Sequence, residues 1–295
     1  MFRVRRLLAP FVLCIALLFS EAQAFTIAWL SDTQNYHNAY KPIFDGMTQW
    51  IADNRAALDI RFVFHTGDVV GSWSSEDQWR QARESMDILS SASIPFLVAC
   101  GNHDIGYRMN YANFLKYVLS LRPASMSQEY GDTGSRYELF SANGRDYIFM
   151  GIAFSNKGPS EDEVNWINGV LRQYSSRDAI IITHSYLKKS AAYTTQGKAI
   201  FEKIVKANPN VFLVLCGHCR DISEKSVQLD DDGDGDPDRT VYAILSNFQG
   251  SKAGGGGYMR ILDFRDSDIY IYTYSPYYDS CEYPKGKTEA TVPLP

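Results

Sequence analysis

The sequence predicts an α/β fold in which two sheets pack together with helices outside. Two observations predict it. After residue 24, apolar β-favouring runs alternate with helix-period segments, and from Ser226 onward the chain is strand-rich without a convincing helix. A third feature locates the chemistry: short polar motifs follow five of the strands, and in open α/β sheets sites lie outside the strands' carboxyl ends.

In order, Phe25 to Leu30 is a short buried strand, and Tyr40 to Leu58 has helical spacing through Ile43, Met47, Trp50 and Ile51. Ile60 to Phe64 is the next strand. Ser75 and Gln78 form a capping box that opens a helix through Trp79, Met86 and Leu89. Ile94 to Val98 is a third strand. The less regular stretch 100–134 holds a helix at Tyr111 to Leu121. Residues 136–154 read as a hairpin, because Asn143-Gly144 between two alternating runs suits a type I′ turn. Ser160 and Glu163 cap a further helix through Trp166 and Leu171. Strand Ala179 to Ile182, helix Gln196 to Ala207 and strand Val211 to Leu215 follow.

The 295 residues are 45% hydrophobic and 21% charged, values of an ordinary globular chain rather than a disordered one. The net charge of −5 provides no broad basic footprint for nucleic acid and no polybasic membrane patch. Residues 1–24 differ from the rest. Arg3, Arg5 and Arg6 precede an apolar run from Leu7 to Phe19, and Ala22-Gln23-Ala24 supplies small residues for cleavage. This is the pattern of a secretory signal, and the run is short of the roughly 20 residues a membrane-spanning helix needs. A secreted or periplasmic protein of residues 25–295, with no membrane span after cleavage, is expected. Four cysteines then remain: Cys100, Cys216, Cys219 and Cys281. An exported chain permits disulfides, and Cys219–Cys281 is the pairing to look for. Cys216-x-x-Cys219 has no second CxxC, so it reads as strand-end thiols or a local bridge.

The polar strand ends are Ser31-Asp32-Thr33-Gln34, Gly67-Asp68, Gly101-Asn102-His103-Asp104, His184 and Gly217-His218. Three of the five histidines lie in this set. Carboxylates offset a cation's charge, imidazoles give affinity, and amide oxygens complete a shell, which suits a borderline divalent metal. With these motifs the sequence resembles the calcineurin-like metallophosphoesterase superfamily, from about Phe25 to Gly217. The resemblance implies a four-layer αββα sandwich of two mixed sheets flanked by helices. It also implies one or two divalent ions of the Mn, Fe or Zn class and a phosphoester substrate. By the same resemblance Asp68 bridges two metals, Asn102, His184 and His218 complete one site, and Asp32 serves the other. His103 is the acid near the leaving group, with Asp104 as its orienting partner.

Two residues depart from the family pattern. Gln34 stands where the first motif usually has His, and Arg220 where the last His belongs. An amide oxygen ligates more weakly than imidazole, and a guanidinium cannot ligate at all. The site of Asp68, Asn102, His184 and His218 is therefore intact, whereas that of Asp32, Gln34 and Asp68 is depleted. His37 is a substitute ligand to consider, and Arg220 either clamps a phosphate or turns outward. Two functions stay open: a metal-dependent phosphoester hydrolase, or a secreted binding module that keeps a metal without turnover.

Three further features are weighed. Asp230 to Asp238 resembles the first part of an EF-hand loop but lacks its terminal Glu, and reads either as a structural calcium loop or as an exposed acidic hairpin loop. Gly254 to Gly257 lacks the following helix and Lys-Ser/Thr of a nucleotide loop, so a loop near the site is expected. The tyrosines of the tail (Tyr270 to Tyr278) read as cross-strand packing.

Overall fold

The computed structural model describes residues 24–106, 109–121, 128–284, 286 and 288–295. The expected signal over residues 1–24 lies outside these apart from Ala24. Along the chain run β1 (Phe25–Leu30), α1 (Lys41–Asp53), β2 (Ile60–His65), α2 (Glu76–Ser91), β3 (Phe96–Val98) and α3 (Asn102–Ile105). Then come α4 (Ala112–Tyr117), β4 (Gln128–Glu129), β5 (Arg136–Ala142), β6 (Arg145–Ile152), α5 (Glu161–Gln173), β7 (Asp178–Thr183) and α6 (Thr195–Ile200). The rest is β8 (Val211–Cys216), β9 (Asp221–Leu229), β10 (Arg239–Asn247), β11 (Met259–Phe264), β12 (Asp268–Tyr274) and β13 (Ala290–Pro293).

The strands form a six-stranded sheet, β13-β12-β11-β1-β2-β3, and a seven-stranded one, β4-β5-β6-β7-β8-β10-β9. Both are mixed. β1, β2 and β3 run parallel in the first, and β6, β7, β8 and β10 in the second. The alternation of side chains across a strand makes the layers. In β1, Ala28 and Leu30 pack with Ile43, Phe44, Met47 and Trp79 of α1 and α2. Phe25, Ile27 and Trp29 point the other way, into a layer shared with Phe149, Ile180 and Leu215 of the second sheet. Ala179 and Ile181 of β7 meet Ile167 and Leu171 of α5 and Ile200 of α6 on the far side. The result is the expected four-layer αββα sandwich. Phe149 sits at its centre, with its ring 4.8 Å from that of Phe64 and 5.0 Å from that of Phe62, both edge-on. Truncating such a side chain to Ala costs about 4 kcal/mol.

Several local expectations change. The Asn143-Gly144 turn is present, with φ of 53° and 75°, and joins β5 to β6 with Ala142 opposite Arg145. Ser75 and Ser160 cap α2 and α5 by accepting from Gln78 N and Glu163 N. The Ser75 capping box does not close, because Gln78 Oε1 accepts from Gly71 N and Ser72 N, whereas the Glu163 carboxylate accepts from the Ser160 backbone as well as from the Ser135 hydroxyl. The helix expected at Gln196 to Ala207 is α6 followed by a π turn at Phe201–Val205. α1 stops at Asp53, short of Leu58, and the strand-rich part begins at Asp221 rather than Ser226. Cys100, Cys216, Cys219 and Cys281 are all free thiols, so the expected Cys219–Cys281 bridge is not formed. Among the described residues no helix is long and apolar enough to cross a membrane.

Candidate metal centre

β1, β2 and β3 deliver their carboxyl ends to one edge of the first sheet, and β7 and β8 deliver theirs to one edge of the second. The two edges meet. His184, just after β7, hydrogen-bonds through Nδ1 with the carbonyl of Thr66 after β2 at 2.8 Å. His218, just after β8, donates its backbone N–H to both carboxylate oxygens of Asp32, at 3.1 and 3.2 Å. The turns are tight. Asp32, Asp68 and His218 stand on left-handed backbone, with φ of 51°, 55° and 67°, a conformation non-glycine residues hold only when their surroundings enforce it. Gly101 and Gly217 permit the approach. A Cβ on Gly101 would lie 2.2 Å from Asp68 N, and one on Gly217 2.3 Å from Asp32 Oδ2.

The bond to Thr66 fixes the proton on His184 Nδ1 and turns Nε2 inward. That nitrogen lies 3.0 Å from Asn102 Oδ1, 3.2 Å from His218 Nδ1 and 3.3 Å from Asp68 Oδ1. Ligand atoms of Asp68, His184 and His218 lie within 4.8 Å of one another. Electron-rich atoms of carboxylate, amide and imidazole thus converge in a largely buried space, and only a proton or a cation relieves their repulsion. This donor set fits a borderline divalent ion. With a proton in that place, burial pulls His184 down, but the Asp68 carboxylate and then Asp32 outweigh it and carry His184 up to about 9. His218 goes the other way, to about 4, through burial and the charge on His184. Asp68 is held below its ordinary value: burial opposes this, and His184 prevails.

The second group of expected ligands is arranged differently. Asp32 is bound by His218 N and the Ser31 hydroxyl. Burial pushes it up to about 7, with His184 pulling down and Asp68 pushing up. Gln34 Nε2 donates to Asp68 Oδ2 at 3.1 Å, while Gln34 Oε1 is buried and has no partner among the described residues. Among the described residues the His37 ring hydrogen-bonds only with the Gln34 carbonyl, at 3.1 Å. Arg220 is exposed, and among the described residues no hydrogen bond or ion pair holds it.

His103 and Asp104 are neighbours in sequence but not partners. The His103 side chain is exposed, and its Nδ1 pairs with the Gly71 carbonyl at 2.9 Å. Asp104 is fully buried and accepts from four backbone amides: Asp68 and Gly101 on Oδ2 at 2.9 and 2.8 Å, Val69 and Val70 on Oδ1 at 2.8 and 3.1 Å. The expectation that Asp104 orients His103 is therefore corrected. Asp104 ties the Asp68 turn to the Gly101 turn, and Gly71 O orients the imidazole. Burial, then Asp68, pushes the Asp104 carboxyl up to about 7 against those amide donors.

The sequence reading passed over Asn247. It ends β10, a strand parallel to β8, and its Nδ2 holds the His218 carbonyl at 3.0 Å. The rule that singled out the other strand ends applies to it equally. The glycine run lies close by, as expected: Gly257 N donates to Tyr36 Oη at 2.8 Å, two residues beyond Gln34. In the acidic loop, Asp230, Asp232 and Asp238 offer carboxylate oxygens within 4.8 Å of one another, all exposed. Asp230 is already engaged by the amides of Gly233 and Gly235.

Known proteins resemble the chain in sequence and in fold. The uncharacterized protein YvnB of Bacillus subtilis (strain 168) is 41% identical over 259 residues, which is 86% of this chain and 20% of that protein. The chain thus spans about a fifth of that relative's length. Among solved structures, a dimetal phosphatase from Danio rerio superposes with a TM-score of 0.61 at 12% identity, covering 91% of this chain and 98% of that one. Purple acid phosphatase PPD1 of yellow lupin gives 0.59 at 12% identity over 92% and 55%. GAP50, the anchor in the inner membrane complex of Plasmodium, gives 0.59 at 14% identity over 92% and 89%. At these identities the likeness is one of fold. The calcineurin-like phosphoesterase profile matches residues 25–219, well over half of the sequence and every strand-end motif in it, and the chain belongs to that family.

Proposed function

We propose that the chain is an exported, metal-dependent phosphoester hydrolase. The observation that carries the reading is the convergence of His184 Nε2, His218 Nδ1, Asn102 Oδ1 and Asp68 Oδ1. These four residues would hold a divalent ion, which when bound supplies positive charge for phosphoryl oxygens and acidity for water. The chain's own residues do the rest. Thr66 O keeps the His184 ring in one tautomer, and Asn247 and Asp32 fix the backbone of His218. Asp104 holds the Asp68 turn. His103, anchored through Nδ1, keeps Nε2 available to protonate a departing alkoxide, the general-acid role. Arg220, exposed beside His218, offers a bidentate fork for phosphate. The Arg-rich, apolar N-terminal run supports export.

The test is hydrolysis of aryl phosphomonoesters and phosphodiesters by purified protein with added Mn²⁺ or Zn²⁺. Activity abolished by Asp68→Asn is the expected result. Activity that survives Asp68→Asn overturns the assignment. A second reading, a metal-retaining binding module without turnover, is favoured by the contact between Gln34 and Asp68, which occupies the carboxylate oxygen a second ion would use. Metal binding without hydrolysis of either ester class identifies it.

A further inference from the structure

The layer between the sheets changes character along its length. Around Phe25, Phe62, Tyr147 and Phe264 it is aromatic. Toward the metal end, β11 places Arg260 opposite Trp29 of β1 and opposite Thr273 of β12. Leu262 and Phe264 face this layer while Met259 and Ile261 face α1 and α2, so alternation puts Arg260 between the sheets. Arg260 is fully buried, and Nη1 donates to Thr273 Oγ1 at 3.0 Å. Among the described residues Nε and Nη2 have no partner. On β10 of the facing sheet, Ser246 shares the inward face of Ile244, is fully buried, and has a hydroxyl that likewise lacks a partner. The acids that act on Arg260 through space, Glu224 and Glu289, are both exposed and make no hydrogen bond to it. A groove of about 210 Å³, lined in part by Glu224, Ile244, Ala290 and Val292, enters between the edge strands of the two sheets.

We propose that Arg260, Thr273 and Ser246 frame an internal anion site that takes a halide-sized ion, chloride in ordinary solutions. A guanidinium stays protonated near neutrality, and a buried charge without a counter-ion is strongly unfavourable. Water satisfies the N–H groups of Nε and Nη2 but leaves the charge uncompensated. A halide accepts from both and from a hydroxyl, and it balances the charge. The proposal does not depend on the hydrolase reading.

Two measurements test it. Crystals of the intact protein soaked in bromide and measured at the bromine edge are expected to show an anomalous peak within hydrogen-bond distance of Arg260 Nε and Nη2. Water there, or the Glu224 or Glu289 carboxylate folded in, overturns the proposal. In solution, replacing sodium gluconate by sodium chloride at constant ionic strength is expected to raise Tm saturably, by about 5 °C at a hundred times Kd. The rise is expected to vanish in Arg260→Met at unchanged metal content. A bromide peak with no saturable rise in the wild type marks an adventitious ion only and also overturns it.

Discussion

Gln34 Nε2 donates to Asp68 Oδ2 at 3.1 Å, on the side of the carboxylate away from the oxygen that faces His184 and the His103 amide. The oxygen that a second ion would need is thus held by an amide donor. Arg220, expected from the sequence to replace a histidine ligand, stands exposed. The wild-type chain is predicted to retain one tightly bound divalent ion. Gln34→His combined with Arg220→His is predicted to retain a second. Elemental analysis after desalting checks this, and an unchanged count in the double variant contradicts it.

Asp104 acts on the fold of the site rather than on His103. Asp104→Asn leaves at least one buried amide without an acceptor, at a cost of about 3 kcal/mol in urea melts. It also loosens the Asp68 turn, with a fall in metal affinity of about 10- to 100-fold by titration. Unchanged stability, with a leaving-group effect like that of a His103 variant, would return Asp104 to an orienting role.

His103→Ala is predicted to lower kcat about 100-fold with alkyl phosphoesters and little with activated aryl esters, since only poor leaving groups need the proton. Rates measured across a series of leaving groups decide the matter. Equal losses for both classes remove the general-acid assignment.

His65 sets a pH dependence. Gly67 N donates to its Nδ1 at 3.1 Å, so its Nε2–H donates to Thr33 Oγ1 at 2.9 Å. Burial, then the charge of His184, lowers His65 from its ordinary value of 6.5 to about 3. Between those values the unfolded chain binds the proton and the folded chain does not, so this contribution to stability is lost as pH falls below 6.5. The loss is about 2 kcal/mol at pH 5. Urea midpoints at pH 7 and pH 5, compared with those of His65→Gln, measure it. An equal pH response in the variant refutes it.

The layers were legible in the sequence because burial on both faces of β1, β7 and β8 requires nearly continuous apolar runs. The candidate ligands were legible because polar residues at the ends of such runs have few structural reasons to be there. What escaped depends on side-chain direction. His103 and Asp104 are adjacent, yet α3 sends one to solvent and the other under the Asp68 turn. Gln78 has capping-box spacing, but the amides of Gly71 and Ser72 offered it other partners. Asn247 acts through the His218 backbone carbonyl, and only its place at the end of β10 marks it in the sequence. The spacing within Cys216-x-x-Cys219 likewise gave no guide to pairing, and both thiols are free.

Diffraction at the manganese edge from crystals soaked in Mn²⁺ tests the central claim most directly. The account predicts an anomalous peak bonded to Asp68, Asn102, His184 and His218. No peak there, or manganese held only by the acidic loop at Asp230, Asp232 and Asp238, would contradict it.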